Sequence, residues 1–501
     1  MELIIRTIQI SIFCTLFLLT GCKVGPNFNS PDAPKTVRYN KEPVVTKTVS
    51  SPNPAGHSQH FNYSHDISSS WWKLFHSKEL NALIEQGLKN NPTVEMSKAN
   101  LRKAYANLRF VAGPKLFPTV NSQFFASRER NTLLATGINI TPLPGQKLPF
   151  SIKNQFDLYN ASVSVSYSLD LFGGTQRQVE ALRAEIEYER FELEAAYLTL
   201  TGNIVTTSIM IASLQDQLKT THDLIHCQQK LLAMANRHYH LGHITRLDVL
   251  NRDNRLKQTL STLPSIKNNL GRKYNALAVL IGSLPSESML SHFNLRSFHL
   301  PTDLPVSLPS VLVKQRPDIR SAEAILHKAS AEIGVATADL FPKLNLLANY
   351  GWFSTTLSNL FNPMNNVWSY GAQIAQTLFK GGALLAKRKM AIAEFEYACA
   401  KYKKVVLEAF LDVADVLHAL EFDAELLQAQ TSIENNLYAQ FRLISNQYQL
   451  GKVNRLSVLS AKEAYLNAHL NVIQAEAARF SDTAALFQAL GGGWWNIPGT
   501  S

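Results

Sequence analysis

One stretch of this chain is written twice. Tyr239-His240-Leu241-Gly242-His243-Ile244-Thr245-Arg246-Leu247-Asp248-Val249-Leu250 recurs as Tyr448-Gln449-Leu450-Gly451-Lys452-Val453-Asn454-Arg455-Leu456-Ser457-Val458-Leu459, at a constant offset (448 minus 239 is 209). Leu116-Phe117-Pro118 returns as Leu340-Phe341-Pro342, and Phe172-Gly173-Gly174 is echoed by Phe379-Lys380-Gly381-Gly382. A repeat of this kind has to be found before any element is assigned, because it dictates the fold plan. Each copy reads helix, Phe-Pro, strands, Gly-Gly, very long helix, Tyr-x-Leu-Gly turn, helix. The first copy is longer between Phe-Pro and Gly-Gly, and the excess falls near Thr136 to Lys153, whose Pro, Gly and Thr content predicts a loop. Pro301 to Pro309 is the expected link between copies.

The long helices restrict the architecture further. In the first copy, apolar residues run Leu182, Ile186, Leu193, Tyr197, Leu200, Ile204, Ile211, Leu214, Leu218, Ile225 and Leu232. In the second they run Ile392, Phe395, Cys399, Tyr402, Val406, Phe410, Val413, Leu417, Leu420, Ala424 and Leu427. Steps of three, four and seven give the coiled-coil period rather than that of a free helix. Each such helix should run about 60 residues, roughly 90 Å at 1.5 Å per residue, which no globular core can hide. Shorter helices, Asn81 to Ala112 and Asp248 to Ile281, would pair alongside.

The strands have a different period. Tyr159, Ala161, Val163, Val165, Tyr167 and Leu169 alternate with Asn160, Ser162, Ser164, Ser166 and Ser168. Trp368, Tyr370, Ala372, Ile374 and Leu378 alternate with Ser369, Gly371, Gln373, Ala375 and Thr377. One apolar face and one small polar face, with aromatic residues toward the ends, suit a strand between lipid and water. Val120 to Arg128 and Lys343 to Trp352 supply weaker partners. Four strands of about ten residues each are the right length for a tilted membrane span. Four cannot close a barrel, and open edges cannot face lipid, so the barrel must be shared between subunits. No run reaches about 18 apolar residues, so no spanning helix is expected.

The N-terminus reads as a targeting segment. Arg6, the apolar stretch Ile8 to Leu19, and Leu19-Thr20-Gly21-Cys22 form a charged region, a short apolar region and small residues before a cut site. Leu-Thr-Gly-Cys resembles the lipobox of bacterial lipoproteins. That resemblance implies cleavage before Cys22, diacylglycerol on its sulfur and an acyl chain such as palmitate on its amine, with Lys23 compatible with export to the outer membrane. The formal net charge of +11 comes from scattered bases interleaved with acids, as in Glu185-Ile186-Glu187-Tyr188-Glu189-Arg190, which does not suggest nucleic acid as a partner. Residues 29–70, rich in Pro, Ser, Thr and Asn, should be extended along the outside of the barrel or partly disordered.

Further fragments complete a family pattern. They are Cys22-Lys23-Val24-Gly25-Pro26-Asn27-Phe28, Trp71-Trp72-Lys73-Leu74-Phe75, Asn91-Pro92, Leu169-Asp170-Leu171-Phe172-Gly173, Asn275-Ala276-Leu277-Ala278-Val279-Leu280-Ile281-Gly282, Arg316-Pro317-Asp318-Ile319, Ala322-Glu323, Ile333-Gly334-Val335-Ala336 and Leu490-Gly491-Gly492-Gly493-Trp494. In order and spacing the chain resembles the TolC-type outer-membrane efflux channels, in the lipoprotein branch serving RND-type multidrug pumps. The resemblance implies an α+β membrane protein: a homotrimer in which three sets of four transmembrane strands make one twelve-stranded barrel, continued through the periplasm by a helical coiled-coil barrel. It implies a periplasmic adaptor and an inner-membrane RND-type transporter as partners, and a passive duct rather than an enzyme. The implied layout is a signal peptide (1–21), a lipidated N-terminal segment (22–79), repeat 1 (80–300), repeat 2 (301–495) and a tail (496–501). The resemblance also places the Tyr-x-Leu-Gly turns at a periplasmic tip that opens and closes. By position, Tyr239, Arg246, Asp248, Tyr448 and Arg455 are the candidate gate, with Ser457 and Ser460 where relatives often carry a constricting aspartate. The plainer reading is that these residues cap and stop helices, with Gly242 and Gly451 at the end position.

Other constellations carry less. His238, His240 and His243 suggest a metal cluster, yet Gln447, Gln449 and Lys452 stand at the matching places, so the turn does not require imidazole. Gly491-Gly492-Gly493 lacks the Lys-Ser/Thr of a phosphate loop, and no hydrolase motif occurs. Asp412 and Asp415 beside the helix stripe read as solvated or lumen-facing charge. No cofactor is expected. Two competing functions are a periplasmic adaptor-like structural lipoprotein and an outer-membrane channel of type I protein secretion.

Overall fold

The computed structural model describes residues 23–36, 38–41, 45–62, 66–130, 155–287 and 293–496. The signal segment, Cys22, the whole Thr136 to Lys153 loop and the last five residues lie outside the described residues. The elements in order are β1 (His60–Asn62), α1 (Lys78–Asn90), α2 (Pro92–Leu116), β2 (Thr119–Arg130), β3 (Gln155–Leu169), α3 (Gly174–His240), α4 (Arg246–Leu280), β4 (Asp303–Pro305), α5 (Pro309–Gln315), α6 (Pro317–Ala338), β5 (Lys343–Ser354), β6 (Asn366–Ala375), α7 (Ala383–Gln449) and α8 (Arg455–Ala489). The repeat is visible in the lengths: α3 and α7 have 67 residues each, and α4 and α8 have 35 each. Their first residues are again 209 apart (383 minus 174, and 455 minus 246).

The chain divides into two compact units, residues 23–29, 103–186 and 325–399, and residues 30–102, 187–324 and 400–496. In the first unit, β2, β3, β5 and β6 form an antiparallel sheet in that order. Val163 of β3 faces Ser122 of β2 and Tyr350 of β5, and Tyr350 in turn faces Trp368 of β6. Residues directly opposite one another share a face, so this register decides the two surfaces of the sheet.

The second unit holds a continuous apolar core. Trp71, Phe75, Leu80 and Ile84 from the N-terminal part meet Ile204 and Ile209 of α3, Leu417 and Leu420 of α7, and Phe480 and Phe487 of α8. Trp71 stacks on Phe487 at 5.2 Å between ring centroids. The heptad reading of α7 matches its inner stripe: Tyr402, Val406, Val413, Leu417, Leu420, Ala424 and Leu427 are buried.

Several expectations need correction. The first short helix is two helices, because Pro92 has no amide hydrogen to donate and holds Asn91 extended (ψ 123°). The last strand stops at Ala375 rather than Leu378, because Ala375 pairs with Lys343, the first residue of β5, and no partner remains for Thr377. The described part of residues 29–70 is held by a core rather than partly disordered. Ala55, Phe61 and Ile67 are buried in the core of the second unit, and β1 pairs in parallel with β4. Finally, α3 contains a stretch long and apolar enough to cross a membrane, but 56% of that stretch is buried inside the protein. Ile204, Val205, Ile209, Ile211 and Ala212 of α3 are core residues.

Candidate functional site

Two surfaces carry the transport reading: the faces of the sheet in the first unit, and the helix-turn-helix tips in the second. Following the register across the sheet, one face carries Val120 and Phe124, Ala161, Val163, Val165 and Tyr167, Leu346, Ala348, Tyr350 and Trp352, then Trp368, Tyr370, Ala372 and Ile374. Many are open to the surroundings, including Phe124, Trp368, Tyr370 and Ile374. The other face carries Asn121 and Gln123, Ser162, Ser164, Ser166 and Ser168, Asn345 and Asn349, and Ser369, Gly371 and Gln373. The alternation read in single strands is therefore in phase through the middle of the sheet, with Ser122 as an exception on the apolar face and Phe125, Leu347, Phe353 and Val367 as exceptions on the polar one. Such a sheet can present one side to hydrocarbon and the other to water. Within the chain, β2 and β6 each have one unpaired edge among the described residues.

The tips are built twice from the same bonds. The His243 amide donates to the His238 carbonyl (2.9 Å) and the Gly242 amide to the Tyr239 carbonyl (2.9 Å); the Lys452 and Gly451 amides repeat this with Gln447 and Tyr448 at the same distances. Gly242 and Gly451 adopt φ of 74° and 72°, the left-handed conformation that this helix ending requires. The next helix is then capped at once. Thr245 caps α4, its hydroxyl accepting from the Asp248 amide, while the Thr245 amide (2.9 Å) and hydroxyl (2.7 Å) donate to the Asp248 carboxylate. Those two donors hold the Asp248 carboxyl below its ordinary range. Asn454 caps α8, accepting from the Ser457 amide and hydroxyl, both at 3.0 Å.

Every predicted tip residue thus has a definite place. Asp248 and Ser457 occupy matching capping positions, Arg246 and Arg455 are the first helical residues, and the Arg246 guanidinium lies 5.8 Å from the Tyr239 ring. Tyr239 and Tyr448 are exposed and Ser460 is half-buried. The geometry carries the capping role within the chain. No hydrogen bond or ion pair joins the two turns among the described residues. The His238 and His243 rings stand 5.9 Å apart, and the described residues contain no cluster of three metal-ligating side chains.

Sequence reasoning missed a polar core inside the bundle. Glu463 of α8 is buried, accepts from Gln228 of α3 at 3.0 Å and pairs with Arg252 of α4 at 3.4 Å. It sits in a small apolar cluster with Leu224, Cys227, Leu231, Leu459 and Leu466 beside it. The signal was present, since Leu459, Glu463, Leu466 and Leu470 fall at four-, three- and four-residue steps, placing a charge on the buried stripe. Arg479 is also fully buried, donating to Thr48 Oγ1 and to the His57 carbonyl, while its Nε and Nη1 have no partner. Burial pushes the neighbouring Asp482 carboxyl up to about 8, and the Asp423 carboxylate beside it acts in the same direction.

A duplicated plan of paired long helices, joined to a sheet with one apolar and one polar face, defines an outer-membrane channel subunit. The comparisons agree with this class. The family model described as outer membrane efflux protein matches residues 83–283 and 308–492. The probable efflux pump outer membrane protein TtgC of Pseudomonas putida is 26% identical over 492 residues, covering 98% of this chain and 96% of that one. The pyoverdine export outer membrane protein OpmQ of Pseudomonas aeruginosa is 30% identical over 430 residues, covering 85% and 87%. Among solved structures, the outer-membrane channel OprN superposes with a TM-score of 0.78 at 28% identity, covering 94% of this chain and all of that one. The chain belongs to the outer membrane efflux protein family. It is an exit duct for efflux, located in the outer membrane and extending into the periplasm.

Proposed function

We propose that three copies of this chain close one twelve-stranded barrel, each giving four strands, and that their helices continue the duct through the periplasm to an adaptor and an inner-membrane RND-type pump. The observation that carries this is the in-phase register of the sheet, together with the unpaired edges of β2 and β6. A sheet with two open edges cannot rest in hydrocarbon, where each unpaired backbone group costs several kcal/mol, so β2 of one copy must pair with β6 of the next. A second stripe on α7 supports assembly. Leu407, Leu411, Phe422, Leu426, Ile433 and Leu443 are all exposed in the single chain, on a face other than the one buried in its own core. The names of the relatives, efflux and pyoverdine export, favour small-molecule cargo.

In this reading the duct performs no chemistry: the pump supplies energy and the lumen supplies a wet path lined by Ser162, Ser164 and Ser166. Cys22 carries the lipid anchor, and the chain is organised as signal (1–21), lipidated segment (22–79), repeats (80–300 and 301–495) and tail (496–501). The tips form the gate, with Tyr239, Arg246, Asp248, Tyr448 and Arg455 meeting neighbouring copies and Ser457 and Ser460 lining the constriction without charge. The test is the mass of the detergent-purified protein, combined with single cysteines placed along β2 and β6. Three chains per particle and disulfides between copies are expected. A monomer without cross-links would overturn the shared barrel.

A further inference from the structure

The antiparallel register brings four strand ends together at one end of the sheet: Thr119, Leu169, Lys343 and Ala375. A cleft of about 190 Å³ opens there, lined by Lys115, Lys343, Asp170, Asp339, Gln178 and Phe172 among others. Lys115 donates to the neutral Gln178 amide oxygen. Lys343 (3.0 Å) and Lys387 (2.7 Å) share one carboxylate, that of Asp339. Asp170 accepts from the Gln176 amide at 2.9 Å and so serves the start of α3. Three ammonium groups, Lys115, Lys343 and Lys387, stand with two carboxylates, Asp339 and Asp170, a surplus of one cation. The remaining acid nearby, Glu180, is taken by Lys23, Arg177 and His327.

A second feature adds to this surplus. Neither α3 nor α7 has an acidic residue in its first turn, although a helix N-terminus is electropositive and favours anions. In α7 the run Lys387-Arg388-Lys389 follows directly, all exposed, which places three cations near the positive end of a helix. The surrounding surface is apolar: Phe117, Leu378 and Phe379 are 68%, 90% and 87% exposed, and Phe172 stacks on Phe341 at 4.6 Å. At the opposite end of the sheet the charges balance, Arg128 and Arg130 standing with Glu129 and Asp157. Unbalanced ammonium groups inside an exposed apolar collar match one chemistry, an anionic phosphodiester carrying acyl chains.

We propose that this cleft is a glycerophospholipid site, with the phosphate held between Lys115 and Lys343 and the acyl chains lying against Phe117, Leu378 and Phe379. The proposal rests on the sheet lying in a bilayer, with this end at the phospholipid leaflet. A bound phosphate would supply an anion near the start of α7, which has no acidic residue in its first turn, and would fix the depth of the barrel.

The test is native mass spectrometry of the full-length protein, purified in detergent and titrated with phosphatidylglycerol or phosphatidylethanolamine. A parallel arm uses inorganic phosphate alone. Wild type should retain one lipid per chain. Lys115→Gln with Lys343→Gln should weaken retention at least tenfold, Lys115→Arg with Lys343→Arg should preserve it, and Arg128→Gln with Arg130→Gln at the far end should leave it unchanged. If the double Gln variant does not fold, Lys387→Gln, Arg388→Gln and Lys389→Gln on the exposed turn should still lower retention. Equal retention in wild type and the folded Gln variants would overturn the site, as would displacement of lipid by millimolar phosphate. Wild type that withstands alkaline extraction from liposomes yet holds no lipid refutes the site alone. Wild type that never inserts refutes the membrane reading beneath it.

Discussion

Val163 and Ser164 are neighbours on β3, and the account assigns them to lipid and lumen. Val163 stands six residues from the strand end at Leu169 (169 minus 163). At about 3.4 Å per residue and a tilt near 45°, that places it roughly 14 Å up an apolar band about 25 Å tall, close to the midplane. Arginine on the lipid face at that depth costs about 2–4 kcal/mol per chain, hence about 6–12 kcal/mol for a three-chain barrel. Val163→Arg should therefore fold poorly into phosphatidylcholine vesicles and unfold at markedly lower urea concentration. Ser164→Arg adds the same side chain one residue on but points it into water. It should fold with a near-wild-type urea midpoint and lower the cation current, because three guanidinium groups then ring the lumen. The assay is urea titration of vesicle-inserted protein followed by bilayer recording. If Ser164→Arg fails to insert while Val163→Arg behaves as wild type, the two faces are exchanged. If both behave as wild type, the sheet is not in the bilayer.

Other outcomes follow from the second unit. Replacing Asp248 and Tyr448 by Ala should raise single-channel conductance if the tips latch between copies, and unchanged conductance would leave them as caps only. Thr245→Ala, which removes the α4 cap, should cost about 1 kcal/mol in denaturant unfolding. Glu463→Leu leaves Arg252 and Gln228 without their acceptor and should destabilise by roughly 1–3 kcal/mol, with Glu463→Gln milder; equal stability of all three proteins would refute the buried node. Asp482, raised to about 8 in the fold, binds its proton more tightly there than in the unfolded chain. Its contribution is full below the ordinary aspartate range and is lost as pH rises toward 8, so Asp482→Asn should flatten the decline in stability between pH 5 and pH 9. A wild-type stability that rises over that window would contradict the assignment.

What could be read from the sequence follows from which forces are local. The offset between the two Tyr-x-Leu-Gly turns reappears in the starts of α3 and α7 and of α4 and α8, because glycine turns, N-caps and heptads are written in adjacent residues. The serine alternation of β3 fixed its two faces in the same way. Register is different: nothing in the chain says that Tyr350 stands opposite Val163, and the overlong β6 reading came from alternation running past its last partner. Phe61, Ile67 and Trp71 pin a segment whose Pro, Ser and Thr content looked loose, since a few apolar anchors outweigh composition once a core exists to receive them. Glu463 and Arg479 were overlooked because a charge at a buried position is recognisable only against a known stripe. The gate was placed by resemblance, and its contacts within one chain are those of helix caps.

Conductance across a planar lipid bilayer, recorded with detergent-purified protein whose mass has been measured, addresses the central claim directly. The account predicts discrete current steps that accompany a three-chain particle, small while the tips are closed and larger in Asp248→Ala with Tyr448→Ala. A particle of one chain that passes no current at any voltage, with little strand signal by circular dichroism, would contradict it.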